Sequence, residues 1–65
     1  MEYIFRPYGH DLFRPIILKG GLIKSESEVE IIEKDIEPKK TFVFIKDLLG
    51  NQMSVRKDSL MKLPL

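Results

Sequence analysis

The chain has no cysteine, no tryptophan and no long apolar run. Without cysteine it can form neither a disulfide bond nor a thiolate metal site. No run approaches the roughly 20 apolar residues that a membrane-spanning helix needs, and the N-terminus lacks the basic and apolar regions of a signal peptide. These absences predict a complete small cytoplasmic protein that starts at its own methionine and has no membrane partner.

The length of 65 residues limits the chain to one domain with a small core. A domain of this size buries only about 60% of its unfolded surface, and its core typically supplies about 3–5 kcal/mol. Small domains gain further stability from disulfides, metals or oligomerisation. Since the sequence shows no sign of a disulfide or a metal site, the remaining source of stability is oligomerisation, and a homodimer is possible.

Residues suited to catalysis are few and show no catalytic spacing. His10 is the only histidine, and no serine motif accompanies it. Glu26, Glu28 and Glu30 alternate along a predicted strand, where they would form a solvated edge and not the partly dry carboxylate pair of acid–base catalysis. No glycine-rich phosphate loop and no metal-ligand spacing is present. The sequence therefore predicts a protein that is not an enzyme and that binds no metal and no cofactor.

The strongest structural pattern lies between Thr41 and Arg56 and predicts a β-hairpin. Its first strand contains Phe42-Val43-Phe44-Ile45, a run of aromatic and β-branched residues typical of a strand buried on both faces. Gly50-Asn51 tolerates a positive φ and marks the turn. Apolar and polar residues then alternate over residues 52–56. If the run is core, Phe44→Ala would cost about 3–5 kcal/mol.

Two further strands are predicted before the hairpin. The first is the apolar segment Pro15–Lys19, which a turn or bulge at Gly20-Gly21 ends. The second covers residues 29–36 and is rich in β-branched residues. Its alternation changes phase between Ile31 and Ile32, which predicts a bulge there.

Two helical signals accompany these strands. Ser25 and Glu28 match a capping box, so a helix from Ser25 is an alternative to the second strand. The β-branched residues that follow favour the strand. After the hairpin, Asp58 is a predicted N-cap for one helical or 3-10 turn over Lys57–Leu63.

The order and length of these elements resemble the SH3-like small barrels over Ile16–Leu63. The residues that carry the resemblance are Val29-Glu30-Ile31-Ile32, Phe42-Val43-Phe44-Ile45, Gly50-Asn51, Met53-Ser54-Val55, and the turn with Leu60 and Leu63. The Ala-Leu-Tyr, tryptophan and Pro-Ser-Asn-Tyr motifs of peptide-binding SH3 domains are absent, so the resemblance implies a fold without assigning a function. The predicted fold is all-β, a small SH3-like open barrel of about five short antiparallel strands (residues 16–63) with one C-terminal 3-10 or helical turn. An aromatic-rich N-terminal arm (residues 1–15) precedes the barrel.

The N-terminal arm carries the leading functional prediction, which is binding to another protein. Two apolar-Phe-Arg-Pro copies, at residues 4–7 and 12–15, lie eight residues apart. Aromatic and arginine side chains are enriched at binding hot spots, and prolines lower the ordering cost of an extended segment. The sequence predicts a small module that acts as an inhibitor, adaptor or assembly subunit by occupying a partner's surface. The residues predicted to contact the partner are Tyr3, Phe5, Arg6, Tyr8, Phe13 and Arg14.

Nucleic-acid binding is the alternative, since basic and aromatic patches can contact phosphates and stack on bases. The net charge is only +1, whereas binding through phosphates needs several uncompensated bases. Charge is also unevenly spread: residues 25–37 contain six acids and one base, which predicts pairing between neighbouring strands of opposite charge. The basic residues of this alternative are Arg14, Lys19, Lys24, Arg56, Lys57 and Lys62.

Overall fold

The structure is a computed structural model that describes residues 2–7, 16–33 and 41–64. The strands are β1 (Tyr3–Phe5), β2 (Ile16–Lys19), β3 (Glu28–Ile31), β4 (Phe42–Asp47), β5 (Gln52–Arg56) and β6 (Leu60–Lys62). They form one open antiparallel sheet in the spatial order β2-β5-β4-β3-β1-β6. The all-β prediction is confirmed, with one strand more than expected.

β4 and β5 form the predicted hairpin, and their pairing runs along the strands without a register shift. Burial along β4 alternates: Val43 and Ile45 are fully buried, whereas Phe42 and Phe44 are 45% and 39% exposed. The prediction that this run is buried on both faces is therefore wrong. A sheet with a single core covers only one of its faces, so every second residue of β4 points to solvent.

The buried face, called the inner face here, carries the hydrophobic core. The buried apolar residues are Phe5, Ile23, Val29, Val43, Ile45, Met53 and Val55. Ile23 lies in the loop after β2 and donates its backbone N–H to Met53 Sδ at 3.1 Å, which gives this buried donor an acceptor. The core therefore depends on contacts between segments that are far apart in the sequence.

Residues 3–5 belong to the sheet and not to an arm outside it. β1 lies between β3 and β6 and pairs with both, and Phe5 is only 2% exposed. The Phe5 backbone donates to the Ser27 carbonyl at 2.9 Å and accepts from the Glu26 N–H at 2.7 Å. The predicted boundary between arm and barrel is thus corrected for these three residues. The arm residues 8–15 lie outside the described residues.

β2 confirms the predicted strand that ends before Gly20-Gly21. Gly20 adopts a φ of 75°, a conformation that favours glycine, and the Gly21 N–H donates to Asn51 Oδ1 at 3.0 Å. A register shift against β5 lies between Ile17 and Lys19. The end of β2 is therefore fastened to the turn of the hairpin.

β3 confirms the predicted strand as far as Ile31, and residues 34–36 of that prediction lie outside the described residues. Ser25 lies in a turn, so the alternative of a helix starting there is wrong. The predicted bulge between Ile31 and Ile32 is wrong. Ile31 lies opposite Ile45 without a register shift, and just past the end of β3 the Ile32 N–H donates to the Phe44 carbonyl at 3.0 Å. The Phe44 N–H donates to Glu33 Oε1 at 2.7 Å. The apparent change of phase arises because Ile32 points to the outer face of the sheet.

The segment predicted as one helical turn contains a 3-10 turn, Lys57–Ser59, followed by β6. Asp58 is not the N-cap, because Arg56 occupies that position without a side-chain cap. The Asp58 carboxylate instead accepts from Arg56 Nε at 3.2 Å. Leu60 lies opposite Phe5, so β6 completes the pairing of β1. No local pattern predicts this strand, since its partner lies at the other end of the sequence.

We expect Phe5→Ala to lower the free energy of unfolding by about 3–5 kcal/mol, because it empties a buried aromatic site. Phe44→Ala is the matched control, and we expect it to cost only about 1 kcal/mol because the ring is already partly in water. Urea unfolding followed by circular dichroism measures both losses. Equal losses in the two variants would contradict this assignment of the inner and outer faces.

Candidate protein-binding surfaces

The six residues predicted to bind a partner do not share one described surface. Phe5 is buried in the core, and Tyr3 is half-buried against it. Arg6 is exposed. The other three predicted contact residues, all between positions 8 and 14, lie outside the described residues. Phe5 therefore packs inside the protein and offers no surface to a partner.

Arg6 follows β1 and is held by an ion pair with Glu26. Its Nε–H and Nη2–H donate to the two carboxylate oxygens at 2.8 and 3.0 Å, and Nη1–H donates to Met61 Sδ at 3.5 Å. The hydrogen bond from Arg6 lowers the pKa of Glu26. Both charged side chains remain about half exposed, so the pair orients the guanidinium more than it stabilises the fold.

A cleft of about 230 Å³ lies beside Arg6 and is lined also by Pro7 and residues 58–61. The Arg6 N–H donates to the Ser59 carbonyl at 2.7 Å, which ties the end of β1 to the 3-10 turn. The lining combines a base, an acid and the apolar groups of Pro7, Leu60 and Met61. The cleft is thus built where the first strand leaves the sheet and the last strand enters it.

A second exposed surface lies on the outer face of the sheet. Pairing aligns Ile16 on β2 with Ser54 on β5 and Phe44 on β4, and the bond from Ile32 to Phe44 adds a fourth member to this row. Phe42 lies two residues before Phe44 and so shares its face. Ser54 is buried among these larger neighbours, which are 37–59% exposed. Ile16, Ile32, Phe42 and Phe44 are called the outer apolar face below.

The sequence analysis does not predict the outer apolar face, because it assigns Phe42–Ile45 to a strand that is buried on both faces. A signal for it is present in the sequence: Phe42 and Phe44 share one parity, and Val43 and Ile45 share the other. In a chain with one small core, only one parity can be buried. The phase change at Ile32 is a second signal, because it places another apolar residue on the same outer face.

The Asp47 side chain holds the turn that sets the register of the hairpin. It is 5% exposed, and its oxygens accept from Leu49 N at 3.0 Å, Asn51 N at 2.8 Å and Asn51 Nδ2 at 2.9 Å. Burial raises the pKa of Asp47, but hydrogen bonds from Asn51, Leu49 and Gly50 outweigh burial and lower the pKa overall. The turn thereby keeps the outer apolar face in register.

The basic residues of the nucleic-acid alternative are distributed over several elements. Arg14 lies outside the described residues, and the remaining members are Lys19, Lys24, Arg56, Lys57 and Lys62. Lys19 lies on β2 and Lys62 on β6, which are the two edge strands of the sheet. The Arg56 guanidinium forms an ion pair with Asp58. The described members of this set therefore come from different strands and loops.

The acidic residues predicted to share a strand face have different surroundings. Glu26 lies in the turn before β3, whereas Glu28 and Glu30 are exposed on that strand. Glu30 lies opposite Lys46, so the expected pairing of oppositely charged strands is confirmed at this position. β3 lies between β4 and β1. The prediction that these acids mark an edge of the sheet is therefore wrong.

Metal ligands and membrane-spanning helices are not found in the part of the chain that the structure describes. Those residues contain no group of three or more histidine, cysteine or acidic side chains that could hold a metal ion. They also contain no helix long and apolar enough to cross a membrane. His10 lies outside them.

Comparison with protein-family models, with curated proteins and with solved structures finds no match for this chain.

We expect Asp47→Ala to lower the free energy of unfolding at pH 7 by about 2–3 kcal/mol, because it removes a buried charged acceptor. The pKa of Asp47 is lowered in the folded state, so its stabilisation is present above the ordinary aspartate pKa and disappears as the pH falls. The difference between the natural chain and the variant should therefore shrink below about pH 4. Urea unfolding at a series of pH values measures this difference.

The matched control is Asp58→Ala, which removes an exposed carboxylate from an ion pair. We expect it to cost no more than about 1 kcal/mol. A loss as large as that of Asp47→Ala would contradict the role given to the Asp47 turn.

Proposed function

We propose that the chain is a small non-catalytic protein-binding module that acts as an inhibitor, adaptor or assembly subunit by occupying a partner's surface. The outer apolar face is the observation that carries this proposal. Its four side chains, two of them phenylalanines, lie on one face of a sheet whose other face already holds the core, with Ser54 between Ile16 and Phe44. Contiguous exposed apolar surface of this kind marks interaction sites.

The energetics of this face favour a protein partner. Burying each exposed phenylalanine or isoleucine contributes up to about 1.5–3 kcal/mol, and aromatic residues are enriched at the centres of interfaces. Three of the four side chains lie on paired strands, and the Asp47 turn holds the hairpin that carries Phe42 and Phe44. Because these backbone positions are already ordered, binding loses little conformational entropy.

Arg6 supports a second contact with the same partner. It is the one exposed and described member of the residues predicted from the sequence, and Glu26 holds its guanidinium beside the cleft. Arginine is a frequent hot-spot residue. Nucleic-acid binding has less support, since its described basic residues are distributed over different strands and loops.

We also propose that the sheet curls into a small SH3-like barrel. β1 pairs with both β3 and β6, and the 3-10 turn leads into the last strand. Phe5 on β1 belongs to the same buried cluster as Val55 on β5, although β3 and β4 lie between their strands. In a flat sheet these strands would lie roughly 14 Å apart, so a shared core favours curvature.

Nuclear Overhauser effects test the barrel proposal directly. We expect cross-peaks between the Phe5 ring and the methyl groups of Val55 in solution, because curvature brings the inner faces of β1 and β5 together. Cross-peaks from Phe5 confined to β3 and β6 would show an open sheet and contradict the barrel.

Affinity capture from a lysate, with and without nuclease, tests the binding function. We expect the natural chain to retain a stoichiometric protein that survives nuclease, and Phe42→Ser with Phe44→Ser to weaken its retention by about tenfold or more, because both rings leave the interface. Leu49→Ser is the matched control. It removes an apolar side chain that is 87% exposed at the hairpin turn and should bind as the natural chain does.

Two results would contradict this proposal. The first is a bound fraction rich in nucleic acid that nuclease abolishes, which would support the nucleic-acid alternative. The second is equal retention by all three chains. Thermal unfolding of each variant shows whether the fold is kept.

A further inference from the structure

Strand β2 lies at an edge of the sheet but has the composition of an interior strand. Among the described residues it pairs only with β5. Its residues Ile16, Ile17 and Leu18 are 46–59% exposed. Edge strands usually carry charges or prolines, because their open backbone groups accept a further strand. Lys19 at the end of β2 is its only charge, so the protection of this edge consists of one lysine, its short length and the register shift after Ile17.

Apolar residues reach this edge on both faces of the sheet. Pairing across β3, β4, β5 and β2 aligns Ile31, Ile45, Met53 and Ile17 on the inner face. The outer apolar face also reaches this edge, where Ile16 is its last member. Ile17 therefore extends a row of the core past its last buried member into solvent. A further strand with an apolar residue beside Ile17 would continue the core.

The backbone groups of Ile17 point away from the sheet. The Phe44 carbonyl accepts from the Ile32 N–H, so the backbone groups of Phe44 point toward β3. Phe44 and Ser54 on β5 are therefore a non-hydrogen-bonded pair. Alternation then directs the Ser54 backbone toward β2, where Ser54 and Ile16 form the hydrogen-bonded pair. Ile17 is the next residue, so its N–H and C=O face the open side.

We propose that β2 pairs with β2 of a second copy of this chain, antiparallel, about a two-fold axis beside Ile17. Ile17 of each copy then donates its N–H to the carbonyl of Ile17 in the other copy. Ile16 lies opposite Leu18 of the other copy, so an apolar residue meets an apolar residue at each position. The row of core residues continues from one copy into the other.

The placement of charge favours this occupant and this direction. In the antiparallel pair the two Lys19 residues lie four positions apart, roughly 13 Å along the strands, which exceeds the ~8–10 Å over which exposed charges interact in salt. A parallel pair would set the two lysines side by side. Pairing of β2 with β6 of another copy would be a heterologous contact, which builds rings or filaments and not a two-fold dimer.

The pairing is short, since the register of β2 shifts after Ile17. We therefore expect a weak dimer at the low end of interface sizes. The inference does not rest on the proposed function, because it uses the edge of β2 and the inner row, whereas the proposed partner covers the outer apolar face; the two surfaces share Ile16 alone. The two-fold axis leaves the outer apolar faces of both copies on the same side of a doubled sheet.

Sedimentation equilibrium between about 1 and 500 µM tests this pairing, and we expect a monomer–dimer equilibrium for the natural chain. Ile17→Lys sets two like charges beside the axis and should raise the dissociation constant by about tenfold or more. Ile17→Glu alone should have the same effect. An equimolar mixture of the two variants should form a heterodimer, because residue 17 of one copy faces residue 17 of the other.

Leu49→Lys is the matched control, since it places the same charge at a leucine that is 87% exposed in the hairpin turn and lies outside β2, and it should dimerise as the natural chain does. Circular dichroism shows whether the charged variants fold. If they do not, Ile17→Thr replaces them as the test, because threonine is also β-branched and should weaken the dimer. A natural chain that stays monomeric, an Ile17→Lys chain that dimerises unchanged, or a mixture without heterodimer would overturn the proposal. None of these results bears on the Phe42 and Phe44 variants, so the two proposals can fail separately.

Discussion

Strand β4 is paired on both sides, and the parity of its residues determines what each face of the sheet contains. Asp47 must turn inward for its carboxylate to accept the N–H groups of the hairpin turn. Val43 and Ile45 share the parity of Asp47 and so form the core. Phe42 and Phe44 are then directed outward, because a slip by one residue would exchange the faces and remove the turn's acceptor. One hydrogen-bonded carboxylate thereby links the turn, the core and the exposed aromatic surface.

The hairpin could be predicted because its signals are local. The glycine of the turn and the apolar strands on either side lie within 16 residues, Thr41–Arg56, and turn chemistry acts over this range. β1 and β6 could not be predicted in this way. Each is three residues long; β6 pairs with β1, and β1 pairs with β3 and β6, so both strands depend on partners far away in the sequence. A pattern of two or three residues carries no periodicity to detect.

The candidate surfaces were harder to predict than the fold, because composition does not show which face a residue occupies. Phe5 and Phe44 are the same residue type in similar extended segments, yet one is core and the other is exposed. The difference depends on register against strands that come later or earlier in the chain. Arg6 is predicted to be a contact residue from the composition of its Phe-Arg-Pro segment, and its exposure in the structure agrees with the usual place of arginine at a surface. Ile16 escaped notice, since an apolar strand is ordinarily assigned to an interior.

The pairing of β1 with β6 also constrains when the protein can fold. The Leu63 N–H donates to the Glu2 carbonyl at 2.9 Å, so the two ends of the described chain meet in one ladder. A growing chain lacks this ladder until β6 has been synthesised and released from the ribosome. Until then β1 has one open side, and Phe5 lacks part of its packing. The sheet is therefore completed only once β6 is available to pair with β1, and a chain shortened before β6 should remain exposed to proteases and aggregation.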